Sequence, residues 1–157
     1  MGYEVAVRSA AARPTAVVAA STTWQEFPTL WKGLLDEVWA CLHASGVTRG
    51  CRNVMLYLDD APSVEVGVEL LQPCRLTGRV VASVLPAGRV AATVHRGSYA
   101  GLGSAHRAVL EWCAAQGHPL AGPRWEVYGP HRDDPAEVET EVYYLLAGEP
   151  ATSSPPL

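Results

Sequence analysis

The chain has 157 residues, of which 48% are hydrophobic and 18% are charged, and its formal net charge is −4. This length and composition predict one globular domain with a sizeable core and exclude a disordered chain. The acidic balance argues against direct nucleic-acid binding, which needs a concentrated basic surface. The sequence shows no secretory leader and no apolar run of membrane-spanning length, so we expect a cytoplasmic protein without a membrane partner.

The first part of the chain predicts two strands followed by a long helix. Alternating apolar residues indicate a half-buried strand over Tyr3–Ala10, and a more apolar strand follows over Thr15–Ser21. Pro28 suits the first position of a helix. Helical apolar spacing then continues to about Ser45, where Gly46 ends the helix.

The apolar stripe of this helix is wider than one core-facing surface needs. Trp31 and Trp39 are therefore candidates for the border of a cavity as well as for the core. Downstream, Asn53–Asp59 and Val64–Leu71 form a predicted strand pair, because the Asp-Asp-Ala-Pro-Ser sequence at their junction is a turn signal.

The second half of the chain begins with a strand over Val80–Leu85 and continues, after a Pro-Ala-Gly turn, with a buried strand over Arg89–Arg96. Helical spacing predicts a second helix over Tyr99–Gln116. Two further strands are predicted over Arg124–Gly129 and Glu139–Leu146.

These elements repeat as strand, helix, strand, strand, with Tyr57 and Tyr128 in equivalent places. The sequence thus predicts an α+β fold in which repeats at about residues 14–72 and 88–146 form a curved antiparallel sheet. We expect about eight strands, with two long helices on one face. Residues 1–147 form a single predicted domain, and the Pro- and Ser-rich residues 148–157 are predicted to be a disordered tail.

Three short motifs, in this order and spacing, resemble the GyrI-like small-molecule-binding domains. They are Pro86-x-Gly88, His95-x-Gly97-x-Tyr99 and Glu126-x-Tyr128. These domains are related to the effector domains of multidrug-sensing transcription regulators and to the SOUL fold. The resemblance implies a domain that binds hydrophobic, cationic or planar aromatic small molecules, with a protein partner as a further option.

Glu126 is the leading candidate for the site. From the residues alone it is either a solvent-facing carboxylate on a half-exposed strand or a functional group, because a buried unpaired carboxylate is costly. The family resemblance implies that this glutamate meets cationic ligands among aromatic walls. The aromatic candidates of the strands and helices are Tyr57, Tyr128, Tyr143, Tyr99, Trp39 and Trp31.

Tyr143 and Tyr144 must point to opposite faces of their strand. We favour Tyr143 as the pocket residue, because the matching strand of the family carries a pocket tyrosine near that place.

Two other functions stay open at this stage. Some GyrI-like proteins hydrolyse reactive cyclopropane-bearing natural products, and in that case Glu126 would be the catalytic base. A protein-binding inhibitor could instead use the acidic stretch from Asp133 to Glu141 as a mimic of a polyanion. We expect a binding protein rather than an enzyme.

The five histidines and four cysteines show no metal-ligand spacing, so the sequence predicts neither a metal site nor another cofactor. We also expect no haem, because no histidine is placed as an axial ligand.

Overall fold

The computed structural model describes residues 2–47, 51–130 and 132–148, which form an eight-stranded antiparallel sheet with two helices. The predicted α+β fold is therefore confirmed. In chain order the elements are β1 (Ala6–Ala10), β2 (Arg13–Ser21), α1 (Phe27–Ala44), β3 (Asn53–Tyr57), β4 (Ser63–Glu69), β5 (Val81–Leu85), β6 (Gly88–Arg96), α2 (Leu102–Gln116), β7 (Leu120–Tyr128) and β8 (Glu139–Leu146). Of the predicted tail, residues 149–157 lie outside the described residues.

The strands are ordered β1-β6-β8-β7-β3-β4-β2-β5. The two repeats thus form the two halves of the sheet, and their strands run outward from the centre in equivalent order. β3 and β7 meet at the centre, where Met55 pairs with Glu126. The strand that bears Glu126 is consequently the innermost strand of its half.

The ends of α1 follow from local chemistry. Pro28 lies in the first turn, and the backbone N–H of Glu26 is bound by Oγ1 of Thr23 at 3.1 Å just before the helix. After the helix, Gly46 adopts a φ of +91°, a conformation that other residues rarely take.

The second helix begins later than predicted. Residues Tyr99–Gly101 form a 3₁₀ turn, and α2 starts at Leu102. The N–H of Gly101 binds the carbonyl of Ser98 at 3.1 Å, which is the tighter bonding of a 3₁₀ turn.

The helices cover the two halves of one sheet face and leave its centre open. α1 contacts β2 and β4, whereas α2 contacts β6 and β8. The core under each helix is a separate cluster of buried side chains. The central strands β3 and β7 therefore form the floor of a groove between the helices.

The other sheet face carries a buried cluster that no helix covers, including Val54, Leu56 and Trp125. Chain connectivity explains this burial. β1 and β2 lie six strand spacings apart, about 29 Å in a flat sheet. Only residues 11–12 join them, and Cα atoms three residues apart span at most about 11 Å. The open sheet must therefore curl so that its two edges approach each other at this end, and the cluster fills its concave interior.

Candidate functional site

Glu126 lies at the floor of the groove between the helices, and its side chain faces them. The residue is only 4% exposed. Its Oε1 atom accepts hydrogen bonds from the hydroxyls of Tyr57, at 3.0 Å, and of Tyr128. Both tyrosines point to the same face as Glu126, Tyr128 because it lies two residues along β7 and Tyr57 from the neighbouring strand β3.

The second oxygen of this carboxylate is bound by a histidine of α2. Nε2 of His106 lies 2.6 Å from Oε2 of Glu126. The other ring nitrogen, Nδ1, lies 2.7 Å from the hydroxyl of Tyr144. Glu126 accepts a hydrogen bond from Nε2–H, and Tyr144 lies on β8. The imidazole therefore links the carboxylate to that strand. The buried charge thus has three hydrogen-bond partners, which offsets the cost of its burial.

The tyrosines around Glu126 are held in their neutral form. Burial, followed by the charge of Glu126, raises the pKa of Tyr57 and of Tyr128 well above the ordinary value. The pKa of Tyr144 is raised to about 12, mainly by burial. The three phenols therefore remain hydrogen-bond donors throughout the neutral range.

A cavity of about 320 Å³ opens beside this cluster, at one end of the groove. Tyr57 and Arg124 line this end. Trp24 forms its outer wall. Its side chain is 46% exposed, packs against Tyr57 with the ring planes tilted and 5.4 Å between centroids, and donates its N–H to the carbonyl of Asp60. The Arg124 guanidinium lies 5.6 Å from the Trp24 ring and pairs with Asp60 at 2.8 Å. The wall is thus aromatic, with one ion pair at its edge.

The opposite end of the groove has aromatic walls as well. Tyr99 stacks on Tyr128 with 5.5 Å between ring centroids, and both line a cavity of about 370 Å³. A neighbouring cavity of about 380 Å³ is lined by Trp39, whose N–H binds the side-chain oxygen of Asn53 at 2.8 Å. Tyr128 borders both of these cavities and also binds Glu126. The carboxylate lies between the two ends of the groove.

The structure brings together five of the seven predicted site residues along the groove: Glu126, Tyr57, Tyr128, Tyr99 and Trp39. Trp31 instead packs against the core under α1. Tyr143 lies on the concave face of the sheet, stacked on Trp125 at 5.6 Å, because it is the register partner of Trp125.

The preference for Tyr143 over Tyr144 thus put the wrong tyrosine on the face of Glu126. Glu126 pairs with Val142, so it is Tyr144, two residues on, that faces the groove.

His106, Tyr144 and Trp24 are site residues that sequence reasoning missed. His106 had a visible signal, since it recurs at helical spacing with Leu102 and Val109 and so had to face the sheet. A polar side chain in an apolar stripe needs a partner, and Glu126 was the candidate carboxylate on the strand predicted after the helix. Trp24 had no such signal, because its position depends on how the turn before α1 folds.

Within residues 2–47, 51–130 and 132–148, no group of three or more His, Cys, Asp or Glu side chains is placed to hold a metal ion. In the same ranges, neither helix is long and apolar enough to cross a membrane.

The family model for the GyrI-like small molecule binding domain matches residues 3–146. The chain belongs to this family. The groove of this GyrI-like domain, with Glu126 at its floor, is accordingly the candidate small-molecule site.

Solved structures share the GyrI-like fold. The crystal structure of the EcmrR C-terminal domain is 19% identical, with a TM-score of 0.72, and the similarity covers 94% of this chain and 99% of that domain. A structure of SAV2435 bound to tetraphenylphosphonium covers 94% and 95%, at 13% identity and a TM-score of 0.64. A hydrolase from Listeria innocua covers 93% of each chain, at 10% identity and a TM-score of 0.58. Among curated proteins no match was found.

Proposed function

We propose that this GyrI-like domain binds lipophilic cations with delocalised charge in the groove between α1 and α2, above Glu126. The observation that carries the proposal is a buried carboxylate set among aromatic side chains and open to a cavity. A delocalised cation brings apolar surface and one diffuse positive charge, so aromatic faces and one nearby carboxylate recognise it without directional hydrogen bonds.

The charge of Glu126 is available for this role. None of the ion pairs of the described residues joins it to a lysine or an arginine, and its partners are His106 and two tyrosyl hydroxyls. A phenol that donates to a carboxylate keeps the negative charge directly behind an aromatic ring. The ring face therefore becomes more attractive to a cation than the face of an isolated tyrosine.

A solved structure of similar fold supports this ligand class, because SAV2435 has been solved with tetraphenylphosphonium bound. The two aromatic ends of the groove offer space on either side of Glu126, with cavities of about 320 Å³ and 370 Å³. Volumes of this order fit small organic ligands. The groove thus offers space, aromatic surface and charge of the required kinds.

The test is a titration with tetraphenylphosphonium, followed by calorimetry and by tryptophan fluorescence. We expect saturable binding that weakens about tenfold or more in Glu126→Gln, because a charge a few ångströms from the ligand is lost from a partly buried site. Glu111→Gln is the matched control, since Glu111 is an exposed carboxylate on α2 and its loss changes the net charge equally. Equal affinity of the wild-type protein and Glu126→Gln would refute the proposal.

A second candidate function is hydrolysis of an electrophilic cyclopropane-bearing small molecule. It is favoured by the cluster of a carboxylate, an imidazole and tyrosyl donors at one place. In this reaction Glu126 takes a proton from water while the water oxygen bonds to a ring carbon. The electron pair of the breaking carbon–carbon bond passes to the conjugated carbonyl, whose oxygen a tyrosyl O–H stabilises.

Product analysis separates hydrolysis from binding. Incubation with an electrophilic cyclopropane should yield a product heavier by one water molecule, and Glu126→Gln should abolish this product while Glu111→Gln retains it. A protein that binds the compound and returns it unchanged is a binder and not a hydrolase.

A further inference from the structure

A further cavity, of about 180 Å³, lies at the mouth of the curled sheet, on the face opposite to Glu126. It forms where the short connection between β1 and β2 brings the sheet edges together. Its flat apolar walls come from Trp125 and Tyr143, which stack with an interplanar angle of 19°, and from Leu85 and Val90. The cavity is separated from the groove by the sheet itself.

Two arginines border this cavity. The guanidinium of Arg8, from β1, lies 5.7 Å from the centroid of the Tyr143 ring, and that of Arg13, from β2, lies 5.9 Å from it. Among the described residues that line the cavity, no carboxylate is present. Two like charges brought to one ring repel each other, so an anion between them would be favoured.

The surrounding carboxylates leave this positive charge incompletely balanced. Glu69 is 3.7 Å from Arg13, a long ion pair. Glu141 pairs with Arg52 at 3.1 Å and accepts the hydroxyl of Tyr143 at 2.5 Å. Within the described chain, Arg8 has no carboxylate partner, and its one hydrogen bond is a 3.5 Å contact with the hydroxyl of Tyr143.

We propose that this cavity is a second ligand site, which binds small carboxylates with a flat apolar body, benzoate being the simplest. Arg8 and Arg13 supply the hydrogen-bond donors, because guanidinium groups match the geometry of a carboxylate. The Tyr143 hydroxyl is committed to Glu141, so the tyrosine contributes its ring and not a donor. The size of the cavity sets the ligand class: it is smaller than the roughly 300–1,000 Å³ of drug-sized sites and equals about six water molecules.

The test uses ¹⁹F NMR titration with 4-fluorobenzoate, with neutral 4-fluorobenzamide and cationic 4-fluorobenzylamine in parallel. We expect saturable shifts or broadening for the carboxylate and none for the other two compounds. Arg8→Gln and Arg13→Gln should each weaken binding about tenfold or more, because each removes a charged donor. Arg89→Gln is the matched control. Arg89 is exposed on the neighbouring strand β6 and does not line the cavity, and its substitution removes the same charge.

The variants also guard against loss of the fold. Arg8 is exposed and makes no ion pair with a described residue. Arg8→Gln should therefore unfold at the same temperature as the wild-type protein. If Arg13→Gln is unstable, the binding result for Arg8→Gln decides the outcome. The proposal is overturned if 4-fluorobenzamide binds as well as the carboxylate, or if Arg89→Gln weakens binding as much as Arg8→Gln. Absence of saturation at the highest soluble concentration would overturn it as well.

Discussion

Nε2 of His106 lies 2.6 Å from Oε2 of Glu126, and this contact ties α2 to β7, the strand of the second repeat that lies at the centre of the sheet. The histidine has two opposing effects at the proposed site. It stabilises the buried carboxylate by a hydrogen bond to a charged group. It also occupies one of the two oxygens with which a bound cation would interact.

His106→Leu should therefore lower stability and raise the affinity for a cation. We expect the free energy of unfolding to fall by about 1.5–3 kcal/mol, the usual contribution of a hydrogen bond to a charged group. Tetraphenylphosphonium should bind more tightly by a few-fold. Urea unfolding and calorimetry measure the two effects. His118→Leu is the control, since His118 stacks on Trp112 and does not line the groove; a weaker affinity in His106→Leu would show that the imidazole itself holds the ligand.

Alkaline pH should destabilise the protein through Tyr144. Burial raises the pKa of this tyrosine to about 12, from an ordinary value near 10. Its stabilising contribution is complete below about pH 10 and is lost as the pH rises toward about 12, because the unfolded chain releases the proton first. The full contribution amounts to about 2–3 kcal/mol.

In Tyr144→Phe, the free energy of unfolding should therefore fall less steeply above pH 10 than in the wild-type protein, as measured by urea unfolding at a series of pH values. Between pH 6 and 8 the two slopes should agree, since the phenol is protonated in both states. Identical slopes above pH 10 would show that the tyrosine titrates equally in the folded and unfolded protein.

Gly67 is expected to tolerate no side chain. A Cβ atom at this position would lie 1.9 Å from the carbonyl oxygen of Ala16 on β2, and the three nearest atoms are all backbone of that strand, which cannot move aside as a flexible side chain can. Gly67→Ala should thus cost about 3 kcal/mol or more in urea unfolding, at the upper end of overpacking effects. Gly33→Ala is the contrasting variant: a Cβ there meets nothing within 4 Å, and the exposed site on α1 should gain about 0.5–1 kcal/mol. A similar effect of both substitutions would contradict the close approach of β2 and β4.

The sequence was sufficient to predict the fold and five residues of the groove, but not His106, Tyr144 or Trp24. Period-two alternation alone places Tyr128, two residues after Glu126, on the same face as that carboxylate, without knowledge of any partner strand. Alternation could not decide between Tyr143 and Tyr144, because that choice depends on the register with β7, where Glu126 pairs with Val142. His106 could not be assigned to the site from the sequence, since a helical spacing gives the buried face but not the group that the face meets.

Substituting Arg124 or Asp60, the ion pair at the edge of the cavity, should change the affinity for a cation in opposite directions. The guanidinium is mostly buried beside Trp24, whereas the Asp60 carboxylate is exposed. Arg124→Gln removes a positive charge from the cavity wall and should strengthen binding of tetraphenylphosphonium about two- to tenfold. Asp60→Asn leaves that charge without its partner and should weaken binding by a similar factor.

Both effects of the Arg124–Asp60 pair should shrink at high salt, because the charges are partly solvated. Calorimetric titrations at low and high ionic strength measure them, and Lys32→Gln, an exposed cation on α1, is the control for net charge. Shifts in the same direction for Arg124→Gln and Asp60→Asn would mean that the pair acts by positioning Trp24 rather than by its charge. In that case Trp24→Ala should shift the affinity for tetraphenylphosphonium in that same direction.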